Sequence, residues 1–196
     1  MTDKAPTTIY PDGLERCHWP GKSELYLEYH DTEWGVPLHG DDAMFERVAL
    51  EGFQAGLSWI TILNRRETFR VAFHDFRIDA VAQMTPAHVE HLMLDPGIIR
   101  NRAKIESTIK NARLSQQLEG GLSELVWSFA PARGSHNTPI DGFEWVATSK
   151  ESEAMSKALR KLGFGFVGPT TMYALMQATG MYNDHAPGCF RREELS

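Results

Sequence analysis

Cysteine is nearly absent: Cys17 and Cys189 are the only two in the chain. Two thiols cannot make a disulfide-rich scaffold, and they fit a reducing cytoplasm. No run of 18 apolar residues occurs, so no transmembrane helix and no membrane partner are expected. The opening stretch MTDKAPTTIYPDG lacks an apolar centre and is expected not to be a secretory signal. Internal repeats, low-complexity tracts and convincing alternating strands are also missing. Positive charge is in short supply: 20 Lys and Arg against 26 Asp and Glu leave a net charge of −6. A generic polyanion binder is thereby disfavoured, and a nucleic-acid partner would have to be met by a local basic face.

What remains is ordinary for a globular protein. The 196 residues are 42% hydrophobic and 23% charged, enough to bury a core and too apolar for disorder to dominate. One domain is expected over residues 14–190, between a flexible tail at 1–13 and a short one at 191–196. A surface loop is expected at 130–147, rich in Pro, Gly and Asn.

The apolar spacing predicts helices. In 41–57, Asp41 and Asp42 suit a helix start, and Phe45, Val48, Ala49 and Phe53 recur at helical intervals. Residues 59–73 continue in the same way. Thr85 and Pro86 form a cap and first position. Ile99 to Leu118 puts Ile105, Ile109 and Ala112 on one stripe with Arg and Lys opposite. Ser123 is expected to cap ELVWSF. Thr148 and Glu151 read as a capping box for a helix to Leu162, stopped by Gly163, and Thr170 to Thr179 reads as a last helix ending at Gly180. The fold class expected is all-α.

Three constellations carry chemistry. At the chain ends, twelve residues separate Cys17 from His30, and His185 and Cys189 stand four positions apart. One Cys and one His from each end would make a closed Cys2His2 tetrahedron that staples the termini, with no position open for a catalytic water. His18 is a competing ligand, and two free cysteines with surface histidines remain the plain alternative. Second, LGFGFVGPT at 162–170 reads as a helix-hairpin-helix turn, whose glycines and following helix start suit a phosphate. Lys157, Arg160 and Lys161 add charge, as does a weaker patch at Arg100, Arg102 and Lys104; the alternatives are a plain turn and a solvated helix face. Such contacts position a protein on a duplex without reading sequence. Third, Glu51 lies in apolar company beside Gly52, a helix-weakening residue, which suggests a thin helix that something approaches closely. Glu51 would then be a pocket carboxylate near Trp19, Tyr26, Tyr29, Trp34 and Trp59. An exposed glutamate among core aromatics is the alternative, and Trp34 is the best core candidate.

Taken together, CHWPGKSELYLEYHDTEWGVP, LEGFQAGLSWITIL, DPGIIRNRAKI, ALRKLGFGFVGPTTMYALMQATG and NDHAPGC resemble the DNA-3-methyladenine glycosylase I family of the helix-hairpin-helix superfamily. The resemblance covers roughly residues 14–190 in one unbroken order. It implies a helix-hairpin-helix glycosylase fold with termini joined by one structural Zn2+ on Cys17, His30, His185 and Cys189. It implies base recognition by Glu51, the catalytic candidate, with Tyr29, Trp59 and Trp19 as the aromatic pocket. The hairpin of Gly163, Gly165, Gly168 and Thr170 would bind DNA. Two features depart from the family: Ser23 and Glu24 stand where a proline is usual, and His18 is an uncommon neighbour of the first ligand.

The activity implied is hydrolysis of the N-glycosidic bond of N3-methyladenine in alkylated double-stranded DNA, releasing free 3-methyladenine. The enzyme is expected to be monofunctional, cytoplasmic and monomeric. Related hairpin glycosylases place an aspartate near Asn183-Asp184, but this family is thought to lack it, so Asp184 is not assigned as a base. A DNA-binding module with an inert pocket is the competing reading, and a zinc hydrolase a third.

Overall fold

The computed structural model describes residues 6–132 and 143–196. Most of the expected 130–147 loop, and residues 1–5 of the expected tail, therefore lie outside the described residues. The chain begins with a feature the sequence reading did not expect. Thr7–Ile9 (β1) and Glu15–Cys17 (β2) pair antiparallel, with Thr7 opposite Cys17. Three residues are too few to show alternation, so the strands escape a periodicity search. The hairpin is fastened by Arg16, whose guanidinium donates to Asp12 at 2.8–2.9 Å and to Asp31 at 2.9–3.0 Å.

Helices follow: α1 (Glu24–Thr32), α2 (Asp41–Gln54), α3 (Trp59–Leu63), α4 (Arg66–Ala72), α5 (Ile78–Ala82), α6 (Pro86–Leu94), α7 (Arg102–Ser115), α8 (Gly121–Trp127), α9 (Lys150–Lys161), α10 (Pro169–Ala178) and α11 (Phe190–Glu194). Between α4 and α5, His74–Phe76 makes a single tight turn, left-handed at all three residues. The fold is thus helical with one short hairpin, and α11 occupies the expected C-terminal tail.

Several boundaries move for local reasons. The expected helix over 59–73 breaks in two, because Arg65 leaves helical geometry (φ −112°, ψ 2°). The capping box of α9 is formed by Ser149 and Ser152 rather than by Thr148 and Glu151; the Glu151 carboxylate instead accepts from Tyr182 Oη at 2.6 Å. Ser123 is not a cap. Helix α8 starts two residues earlier, and the Ser123 N–H donates to Asp41 Oδ1 at 2.8 Å. The first-turn carboxylate of α2 thereby serves a second helix.

Helix α2 is the axis of the fold. Residues 47–53 are buried without a break, which marks a helix surrounded on all sides. It packs against α10, α8, α3, α5 and α7. On one flank Phe45, Phe53, Phe69, Phe73 and Phe76 form an aromatic chain with neighbouring centroids 4.6–6.2 Å apart. The carbonyls of Phe53 and Ala55, at the C-terminal end of α2, accept from Lys104 Nζ at 2.8 and 2.7 Å. A cation at a helix C-terminus is favoured by the dipole as well as by hydrogen bonding. Lys104 is therefore buried and not on a solvated face, while Arg102 is held by Glu90 at 2.8 Å.

Replacing Lys104 by Met keeps the stem and removes two charge-assisted bonds. Each such bond contributes roughly 1.5–3 kcal/mol, so a net loss of about 2–3 kcal/mol is expected once the methionine's burial is counted. Urea denaturation of K104M, with the slope unchanged and the midpoint lowered, is the measurement; an unshifted midpoint refutes the capping role.

Candidate functional site

The termini are brought together by side chains. Cys17 at the end of β2, His30 in α1, and His185 and Cys189 before α11 are all buried, with one ligand atom of each within 4.8 Å of the others. His30 Nε2 lies 3.2 Å from His185 Nδ1 and 3.5 Å from Cys189 Sγ; His185 Nδ1 lies 3.5 Å from Cys189 Sγ and 3.8 Å from Cys17 Sγ. A zinc tetrahedron with ordinary Zn–S and Zn–N lengths has N–N edges of about 3.3 Å and N–S edges of about 3.5 Å. The donor set fits a tetrahedral metal in spacing and chemistry.

The surrounding groups fix the tautomers that this requires. His30 Nδ1 sits 2.7 Å from Asp31 Oδ1, and His185 Nε2 sits 3.1 Å from the Trp34 carbonyl. Each imidazole thus directs its N–H outward and its lone pair into the cluster, the usual support of a ligating histidine. The Ala186 N–H donates to Cys17 Sγ at 3.2 Å, and Arg192 donates to the His185 carbonyl. His18 is not among the clustered residues; its Nδ1 is 3.3 Å from the Pro6 carbonyl.

Next to this cluster, and sharing Trp34 with it, is a cavity of about 360 Å³ lined by Trp19, Tyr26, Tyr29, Trp34, Glu51, Trp59 and others. All four residues expected from the sequence as a base pocket (Glu51, Tyr29, Trp59 and Trp19) line it. Helix α1 supplies Tyr29, α2 supplies Glu51, and α3 supplies Trp59. The ring of Tyr29 is 5.4 Å from Trp59 and 6.4 Å from Tyr26, while Trp19 leans on Tyr26 at 4.8 Å and on Trp34 at 5.1 Å. Trp34 is buried, as expected of a core residue, and faces the cavity as well.

Glu51 is only 4% exposed. Burial among these rings pushes its carboxyl up to about 8, while the positive charge of Arg47 pulls the other way. Burial therefore favours the neutral acid at this position. Trp59 Nε1 is buried without a hydrogen-bond partner among the described residues. An aromatic slot holding an acid and a spare N–H suits a flat heterocycle, above all a cationic one.

The cavity also contains residues that the sequence reading did not select. His18 was read only as a metal ligand; Gln54, Trp145, Val146, Ala174 and Gln177 were not singled out. A polar residue in the mostly apolar helix α10 was the available signal for Gln177; Trp145 lay in an expected loop. Gln177 donates to Asp184 Oδ2 at 3.0 Å, and Tyr173 also donates there. Asp184 is 1% exposed and spent on these bonds.

The glycine-rich turn joins α9 to α10. Gly163 takes φ +96°, which favours glycine, and Gly168 stands immediately before α10, where Thr170 is the second residue. Gly165 has a different reason: a Cβ there would collide with Ser107 Oγ of α7. Its N–H donates to Asn111 Oδ1 at 2.9 Å, and its carbonyl accepts from Asn111 Nδ2 at 3.1 Å. The thin place in α2 is explained by the same turn. A Cβ on Gly52 would stand 3.3 Å from Phe166 Cβ, so the close approach inferred from that glycine is the hairpin seating itself on α2, one residue from Glu51.

Comparison with known proteins places the chain in a family. The methyladenine glycosylase family matches residues 19–192. DNA-3-methyladenine glycosylase 1 of Escherichia coli (strain K12) is 46% identical over 179 residues, which are 90% of this chain and 96% of that protein. A crystal structure of 3-methyladenine DNA glycosylase I superposes with a TM-score of 0.85 at 43% identity, covering 89% of this chain and 98% of the other. The Staphylococcus aureus enzyme, solved for the structural basis of its 3-methyladenine recognition, superposes at 0.84 with 34% identity, covering 90% and 96%. The chain belongs to the methyladenine glycosylase family.

Proposed function

We propose that this protein excises N3-methyladenine from alkylated double-stranded DNA by hydrolysing the N-glycosidic bond, and releases free 3-methyladenine in base excision repair. The observation that carries the reading is a buried carboxyl group, Glu51, in an aromatic cavity one residue from the seat of a hairpin turn. Family membership and the named activity of its relatives support it.

The chemistry follows from charge. Methylation at N3 makes the purine a cation and its glycosidic bond labile, so a strong general acid is unnecessary. The damaged nucleotide is extruded at a cost of a few kcal/mol, less where pairing is already weak. In the cavity Tyr29 and Trp59 stack on the base, a cation–π gain of roughly 0.5–2 kcal/mol, with Trp19 completing the wall. Glu51 loses its proton as the cation enters, because a positive neighbour favours the carboxylate. It then accepts charge-assisted bonds from the amino edge, at about 1.5–3 kcal/mol each. A neutral adenine gains less from both, so discrimination rests on charge. Water adds at the sugar C1′. Asp184, already bonded to Tyr173 and Gln177, is not assigned to activate it. The reading is of a monofunctional hydrolase that forms no Schiff base; the described lining residues include no lysine.

The turn of Gly163, Gly165, Gly168 and Thr170 holds the DNA backbone beside the basic residues of α9, with Gly165 contributing through its close fit on α7. Cys17, His30, His185 and Cys189 hold one structural Zn2+, which joins the chain ends and leaves no position for water. No helix of the described residues is long and apolar enough to cross a membrane. The protein acts in the cytoplasm as a monomer, where its thiols stay reduced.

Substituting Glu51 by Gln is expected to abolish measurable release of 3-methyladenine and to weaken binding of the free base at least tenfold, with duplex affinity within about twofold. Filter-binding and base-release assays on methylated DNA check this; unchanged base affinity refutes the role. The same variant has a stability signature. A carboxyl raised from 4.5 to about 8 contributes fully below its unfolded value and loses that contribution as pH rises toward the folded value. The melting temperature of E51Q relative to wild type should therefore climb between about pH 4.5 and pH 8 and level off above. A flat difference refutes the buried-acid account.

Purified protein is expected to carry one zinc per chain by atomic absorption. Cys17→Ser should lose it and melt roughly 6–12 °C lower, the shift that about 3 kcal/mol makes in a chain of this size. Metal-free wild type with an unchanged melting temperature refutes the staple.

A further inference from the structure

Arg47 stands one helical turn before Glu51 on α2, and it is only 8% exposed. Buried arginines need partners, and those of Arg47 are unusual. Nη2 is ion-paired to Glu33, just beyond the end of α1. The guanidinium carbon lies 5.6 Å over the ring of Tyr29, the aromatic that meets Trp59 in the cavity wall. Nη1 is buried with no partner among the described residues. Glu33 is shared: Arg66 of α4 grips the same carboxylate with Nη1 at 2.7 Å and Nη2 at 2.8 Å. Two arginines thus divide one carboxylate, so the charge of Arg47 is anchored but not fully cancelled.

We infer that Arg47 is a positioning and specificity residue for base excision: its guanidinium backs the Tyr29 ring and favours the Glu51 carboxylate, while Glu33, shared with Arg66, cancels part of its charge. This rests on the reading of Glu51 as the base-binding carboxylate. The titratable groups facing Glu51 are few. Tyr26, pushed up to about 12 by burial, and Tyr29, pushed up further, are neutral phenols on α1. Arg47 is the charged group on α2, and His18 reaches the cavity from the segment after β2. Helices α3 and α10 contribute the uncharged Trp59, Ala174 and Gln177. Burial works against the carboxylate, and Arg47 is the fixed cation that opposes it. The arrangement also bears on selectivity. With Glu51 poised close to neutrality, an entering cation completes the ionisation, whereas a neutral base leaves the acid protonated.

The test is the pH dependence of kcat/KM for 3-methyladenine release from methylated DNA, corrected for spontaneous loss, in wild type, R47M, R47K, E33Q and E51Q. Wild type should show an acidic limb set by Glu51. R47M should move that limb about one pH unit toward alkaline pH, and R47K should restore part of the shift. E33Q frees both arginines from their counter-charge and should move the limb toward acid. Opposite displacements cannot come from loosened packing, which scales the whole profile without moving it. A limb unmoved in R47M or E33Q, or moved in the same direction in both, overturns the inference. Should R47M fail to fold by circular dichroism, E33Q and R47K decide it. An E51Q enzyme that retains activity and the acidic limb sinks the reading of Glu51 itself, a result distinguishable from failure of Arg47.

Discussion

Carrying ionisable groups through an apolar interior is costly, and this protein does so twice on one helix. Arg47 and Glu51 both lie in the uninterrupted buried stretch of α2. For Arg47, residues of α1 and of the turn after it answer that cost. Glu33 takes the guanidinium, Tyr29 gives it a π face, and Lys104 closes the end of α2 by holding two of its carbonyls. Glu51 has no ion-pair partner among the described residues, and burial pushes its carboxyl up. The proposed preference for a cationic base rests on that unpaired acid.

The hairpin is placed by the same helix. Phe166 sits against Gly52, while Asn111 and Ser107 of α7 shape the seat of Gly165. The seat of the turn proposed to meet DNA and the carboxyl proposed to meet the base are thus neighbouring positions, 52 and 51, of α2.

Much of this was legible in the sequence, through side-chain chemistry more than through periodicity. The spacing of Cys17, His30, His185 and Cys189 and the oddity of Glu51 beside Gly52 pointed to residues that the structure brings together. Long amphipathic runs located α2 and α7, overrunning α2 by three residues at its end and α7 by three at each end. Short elements did not show. Two three-residue strands have no measurable alternation, Arg65 breaks a continuous apolar pattern for reasons of geometry alone, and serines 149 and 152 compete with an equally plausible cap one residue earlier. Gly52 illustrates a half-read signal: its need for closeness was visible, but the visitor was Phe166 from 114 positions away. Lys104 and Arg47 were unreadable for a related reason, since nothing local tells a lysine on a basic helix that its ammonium will end another helix, or an arginine that it will lie over a distant tyrosine.

The meeting of Cys17 and His30 with His185 and Cys189 has a consequence for the cavity beside it. The aromatic wall from Trp19 to Trp34 lies within one short stretch of chain, yet His185, 151 residues beyond Trp34, packs edge-on against its indole at 4.5 Å. Contacts of such long sequence separation are costly to close early in folding. The wall is therefore backed only when two distant parts of the sequence have found each other.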